Sequence, residues 1–195
     1  MKVAVVAPTE IPSRRANSIQ VMKMAQALAK LGLDVRLAAP RLSSPGEVRR
    51  PLSWEFLRQH YGLQCSFDIE WLPVLAALRG YDYGWRAVRW ARRWRADVLY
   101  TRLPQAAALA SVSGMPTIFE VHDLPQGSLG PLLFRAFLRG RGARRLVIIT
   151  SALAQDLARF FGIPAQPPFT VIAPDGVDLE RYADLPETVE ARRRL

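Results

Sequence analysis

His122 and Asp123 follow directly on the apolar run Thr117 to Val121, and Arg102 follows Val98 to Thr101 in the same way. An imidazole, a carboxylate and a guanidinium can between them accept and donate protons, orient hydroxyl groups and hold anions. Thr150 and Ser151 close a third apolar run, Leu146 to Ile149. In an open parallel sheet, small molecules bind in the crevice beyond the carboxyl ends of the strands, so polar residues gathered there point to a ligand site. Ser151 also has an ordinary reading as the N-cap of the helix that follows, and that reading is preferred.

A second group lies just ahead of the first helix. Arg14, Arg15, Asn17 and Ser18 stand between the apolar run Val3 to Ala7 and a helix expected over Ser18 to Leu31. Free backbone N–H groups and a positive dipole end suit a phosphate at this place. A plain capped helix with exposed arginines is the alternative. Asn17 is the expected cap, with Gln20 reaching back, and Gly32 fits a left-handed stop. The loop from Pro8 to Asn17 contains no glycine. The Gly-x-Gly-x-x-Gly fingerprint is therefore absent where it would have to be, which weighs against nicotinamide and flavin chemistry.

The elements that must carry these residues alternate along the chain. Strands are expected over residues 2–7, 34–39, 67–72, 97–101, 117–121, 145–149 and 169–173. Helices are expected over 18–31, 53–61, 83–95, 105–112, 130–138 and 152–161. Such alternation predicts an α/β class, a Rossmann-like parallel sheet of about seven strands with right-handed crossovers and helices on both faces. Val21, Met24, Ala25 and Leu28 make one apolar helix face. Ala87, Trp90, Ala91 and Trp94 share a face suited to the core, while Arg86, Arg89 and Arg93 share another.

The chain has 195 residues and a formal net charge of +10, from 27 basic and 17 acidic residues. It is long enough for one domain with a trailing segment. The charge favours an anionic partner, and the arginines near Trp85 and near Leu132 suit an anionic membrane surface. One cysteine, Cys65, and two histidines, His60 and His122, leave no set with metal-ligand spacing, so no metal or other cofactor is expected. A lone cysteine suits a reducing, cytoplasmic setting, with peripheral contact at the inner face of the membrane. A nucleic-acid-binding module would use the same arginines, but no recognition helix or zinc spacing accompanies them.

Several ordered segments resemble the amino-terminal domain of family 4 nucleotide-sugar glycosyltransferases, which have the two-domain GT-B fold. They are Ala16 to Val21 with Ala25 to Gly32, Tyr100-Thr101-Arg102, Phe119 to Asp123, Ile149 to Leu153, and Ile172 to Asp178. The resemblance implies a domain over residues 1–178, an interdomain linker and helix over 179–195, and a donor-binding second domain outside this chain. It implies transfer of a sugar from a nucleotide-sugar donor to a glycan or lipid-linked acceptor with retention of configuration, without a metal, and little activity for this half alone. His122 would meet the donor sugar near its reacting carbon, and the loop before the first helix would help hold the donor phosphates. Asp175 and Gly176 would fall in the family's Pro-Asn-Gly-Val-Asp turn, with Asp175 standing where the family has asparagine. Glu47 and Glu55 have seven residues between them, as the family's paired glutamates do, but in an early loop and helix, which makes the match a chance one. A GT-B-like sugar-nucleotide epimerase shares this architecture and would need acid/base carboxylates that the sequence does not mark out.

Overall fold

The computed structural model describes residues 1–42, 52–75, 81–163, 169–176 and 186–193. Seven strands form one parallel sheet: β1 (Lys2–Val6), β2 (Asp34–Leu42), β3 (Asp68–Val74), β4 (Val98–Thr101), β5 (Thr117–Val121), β6 (Ala143–Ile148) and β7 (Thr170–Ile172). Their order is β3-β2-β1-β4-β5-β6-β7. Between them run α1 (Ala16–Lys30), α2 (Trp54–Tyr61), α3 (Tyr81–Arg93), α4 (Pro104–Val112), α5 (Gly130–Arg139) and α6 (Ser151–Phe161), and α7 (Thr188–Arg193) follows. The strand order reverses between β1 and β4, and at such a reversal the flanking connections leave in opposite directions and open a crevice.

The alternation of buried residues along the strands feeds both faces. Val3, Val5 and Leu37 pack under α1 and α2, whereas Ala4, Val6 and Leu99 pack under α3 and α4. Further along that second face, α5 and α6 bury Phe134, Phe137 and Leu157 against Phe119, Leu146 and Ile148. Each such large side chain contributes roughly 1.5–3 kcal/mol of burial. The short side chains of α4 join the clusters, with Ala106 and Ala110 in one and Ala107 in the next. Ala87 and Ala91 of α3 are fully buried, with Trp90 and Trp94 packed beside them, as the amphipathic pattern predicts.

The details differ in three places. On α1 the fully buried residues are Ser18, Met22 and Ala25, with Val21 and Gln26 close to it, while Met24 and Leu28 are only partly covered. The stripe is turned because α1 packs against Leu57 and Tyr61 of α2 as well as the sheet, and the Gln26 side-chain Oε1 accepts from the backbone N–H of Gln64, just past α2, at 2.5 Å. Strand β2 runs on through Pro40 to Leu42, past the end expected at residue 39. Its pairing with β1 ends at Ala38, whereas β3 accompanies it as far as Leu42. Pro40 thus lies on an edge, where its missing N–H is tolerated. Helix α1 also starts earlier than expected, at Ala16, so Arg15 and not Asn17 occupies the cap position, with no side-chain cap bond. Glu47, Pro164, Val177, Asp178, Arg194 and Leu195 lie outside the described residues; Glu55 sits on α2 and binds Arg58 at 3.2 Å.

Candidate functional site

Strands β4 and β5 are neighbours, with Thr101 opposite Phe119. A period of two therefore sends Tyr100 and Glu120 to one face, and Arg102 and His122 follow one step beyond them at the carboxyl edge. These four side chains form a single network. Arg102 Nη2 donates to His122 Nδ1 at 2.6 Å, and His122 Nε2–H donates to Glu120 Oε1. The Tyr100 hydroxyl donates to Glu120 Oε2, and Arg102 Nε lies 3.6 Å from Glu120 Oε1. A guanidinium has no acceptor, so Nδ1 must carry the lone pair and Nε2 the proton. The two contacts thereby fit one tautomer of the His122 ring.

The side chains of Arg102 and Glu120 are 9% and 6% exposed, and that of His122 is 20% exposed. Burial pushes the Glu120 carboxyl up, but hydrogen bonds from His122 and Tyr100 and the charge of Arg102 outweigh it and hold the group below the usual carboxylate range. Burial, and then the Glu120 carboxylate, push the Tyr100 phenol far above its usual value. Glu120 is thus ionised and Tyr100 neutral at pH 7. Arg102 Nη1 is buried without a hydrogen-bond partner.

Arg102, Glu120 and His122 line a cavity of about 300 Å³ that also takes in Pro8, Asn17 and Asp123. The cavity lies at the carboxyl ends of β1, β4 and β5, where the strand order reverses. Asn17 reaches it because the side chain is not spent on capping. The loop that leads there is held without glycine: Tyr61 Oη accepts from Ser13 N at 2.7 Å, Trp71 Nε1 donates to Ile11 O at 3.4 Å, and Ile11 is 5% exposed. No acidic residue sits in the first turn of α1, so its positive end is uncompensated by side chains there.

The other expected residues fall in different places. Arg14 and Arg15 are exposed on the loop before α1. Ser18 is fully buried with its hydroxyl bonded to that of Tyr61, so it turns away from the cavity. Thr150, and not Ser151, caps α6: its hydroxyl accepts from Leu153 N at 3.1 Å, while Ser151 is the first helical residue. Both are exposed and neither lines the cavity. Asp175 comes close, with a carboxylate oxygen within 4.8 Å of ligand atoms of Glu120 and His122. Arg102 supplies the positive charge at that spot. Gly176 is exposed, with open space where a Cβ would stand. Glu120 and Tyr100 are the members that the residue types at strand ends did not reveal. Their sequence signals are a carboxylate inside an otherwise apolar strand and their place in the segments Tyr100-Thr101-Arg102 and Phe119 to Asp123, neither of which assigned them to the site.

The glycosyltransferase family 4 model matches residues 18–181. Among solved structures, HepE from Anabaena, crystallised with UDP and glucose, is similar over the whole of this chain at 16% identity with a TM-score of 0.59. Sucrose-phosphate synthase from Thermosynechococcus elongatus is similar over the whole chain at 12% identity with a TM-score of 0.64. The chain spans about half the length of each, 50% and 52%. No curated protein matches it. At these identities the two structures speak for the fold, a Rossmann-like half of a GT-B architecture, and the family model, covering most of the sequence, shows that the chain belongs to glycosyltransferase family 4.

Proposed function

We propose that this chain is the acceptor-side half of a retaining glycosyltransferase that moves a sugar from a nucleotide-sugar donor to a sugar or lipid-linked acceptor. The observation that carries the reading is the cavity at the sheet's reversal point, where His122 and the buried Arg102 meet the uncapped end of α1. The donor sugar lies against His122, and the donor diphosphate between Arg102 and the start of α1, with Arg14 and Arg15 at the entrance. As the glycosidic bond to phosphate breaks, charge grows on the leaving oxygen. Fixed donors and a helix end stabilise that charge without having to reorganise. Asp123 and Asn17 are placed to bind hydroxyl groups of the acceptor. Asp175 adds a carboxylate beside His122. The partner half supplies the rest of the donor pocket, so the chain alone turns over little.

Turnover of the full-length protein, followed as nucleoside diphosphate released from a panel of UDP-, GDP-, ADP- and dTDP-sugars, tests the reading. His122→Ala is expected to lower kcat by roughly 10²–10³, the range for loss of one preorganised polar contact to a transition state. Near-normal turnover removes His122 from the site.

The acceptor reading extends to a membrane surface. Trp85 is 53% and Leu132 59% exposed, on helices that also carry Arg89, Arg93, Arg135 and Arg139. A protein working at the inner, cytoplasmic face would meet a lipid-linked acceptor there. No described helix is long and apolar enough to cross a membrane.

A further inference from the structure

Both ring nitrogens of His122 are already spoken for, Nδ1 by Arg102 and Nε2 by Glu120. A ring so placed has no atom left for a substrate, and one of the two bonds must be given up before it can touch one. The two are unequal. Glu120 is a buried carboxylate fixed by Tyr100 as well, and its bond to Nε2–H has an ionised acceptor. Arg102 gives a neutral nitrogen one of its donors while keeping a buried Nη1 without a hydrogen-bond partner. A guanidinium prefers an anionic, bidentate acceptor to a neutral nitrogen.

We propose that Glu120, braced by Tyr100, is a positioning residue that keeps the proton of His122 on Nε2, and that Arg102 hands Nδ1 over to the substrate when an anionic group pairs with its guanidinium. The ring then presents a lone pair to the cavity, oriented to accept from a substrate hydroxyl, and no bond other than hydrogen bonds is made or broken. The order of events follows: the anion binds first, and only then is His122 available. The inference rests on the reading of His122 as a substrate contact, and it assigns Glu120 and Tyr100 to work through His122 rather than on the substrate.

The imidazole nitrogens of His122, observed by long-range proton–nitrogen NMR on the 195-residue chain itself, test it with inorganic pyrophosphate as the probe. The expected spectrum of the wild type is a single Nε2–H tautomer. Addition of pyrophosphate is expected to move the Nδ1 signal in a saturable way and to leave the Nε2–H signal in place. Tyr100→Phe, which removes one hydroxyl and keeps the ring, is expected to speed exchange of the Nε2 proton roughly tenfold, as loss of a charge-assisted bond implies. Glu120→Gln, where it folds, is expected to do more. An Nδ1–H tautomer, or a ring averaging between the two, overturns the assignment. So does an Nε2–H exchange rate that Tyr100→Phe leaves unchanged. Millimolar pyrophosphate that shifts neither ring nitrogen, or moves Arg102 signals without Nδ1, overturns the handover. Failure of the glycosyl-transfer reading shows elsewhere, as undiminished turnover in His122→Ala, and leaves these spectra as they were.

Discussion

Burying the carboxylate of Glu120 opposes its ionisation, and the contacts from His122, Tyr100 and Arg102 overcome that opposition. A carboxyl lowered in the folded state adds stability that is fully present above its unfolded value and is lost as pH falls through the folded one. Urea midpoints of the wild type are therefore expected to fall as pH drops from the ordinary glutamate value of 4.5 through the lowered one, relative to Glu120→Gln, whose residue 120 no longer titrates. At pH 7 the same substitution leaves the Arg102 guanidinium buried and without its counter-charge, at a cost of about 3–5 kcal/mol. Tyr100→Phe removes a single bond to a charged acceptor and is expected to cost about 1.5–3 kcal/mol in the same measurement. His122 and Arg102 were legible in the sequence because they end apolar runs, and strand ends are where such sheets expose side chains. Glu120 and Tyr100 were not. They lie 20 residues apart and meet only because β4 and β5 are neighbours, which no local pattern encodes.

The boundaries of the elements decide which polar side chains are left over for function. Strand β6 ends at Ile148, and Thr150 keeps an extended backbone, with φ −141° and ψ 152°, so its hydroxyl turns back onto α6. Thr150→Ala is expected to lower stability by about 1 kcal/mol, whereas Ser151→Ala stays within about 0.5 kcal/mol. The reverse order in thermal unfolding would reinstate Ser151 as the cap. The sequence placed a helix here and missed the capping residue by one position, since Thr and Ser are adjacent and either type can cap. The same one- or two-residue uncertainty assigned Asn17 to capping, when it lies inside α1 and faces the cavity. A tighter constraint joins α4 to β6. A Cβ on Gly142 would stand 2.0 Å from the backbone oxygen of Met115, at the start of the β5–β6 pair where Thr117 N donates to Gly142 O at 2.7 Å. Gly142→Ala is expected to cost about 3 kcal/mol, the upper end for overpacking, because backbone on both sides must move.

Helices α3, α4 and α5 lie side by side on one face of the sheet, and their outward surface is both basic and apolar. Trp85 on α3, Leu109 and Val112 on α4, and Leu132 on α5 are 53%, 41%, 62% and 59% exposed. The arginines and Trp85 were legible as one amphipathic helix; the exposed residues of α4 were not, because an alanine-rich helix reads as buried on every side. Part of the charge is already engaged within the protein: the half-buried Arg86 pairs with Asp82 at 3.2 Å, and the exposed Arg92 donates to the carbonyl of Ser113 at 2.5 Å. Arg93 and Arg139 are exposed, as are Arg89, stacked over Trp85 at 5.5 Å, and Arg135, over Phe161 at 5.6 Å. A basic residue near an anionic bilayer contributes about 1 kcal/mol, screened within a Debye length. With a net charge of +10, the chain is expected to co-sediment with vesicles rich in phosphatidylglycerol, to leave purely phosphatidylcholine vesicles unbound, and to be released by added salt. Charge reversal at Arg93 and Arg139 together is expected to weaken that binding at least tenfold, since two contributions of about 1 kcal/mol are lost and two repulsions gained. Trp85→Ser with Leu132→Ser separates insertion from attraction: affinity should fall while the salt dependence persists. Binding indifferent to lipid charge, or unchanged in both pairs of variants, would detach the membrane from this face and leave the acceptor to be sought among soluble glycans.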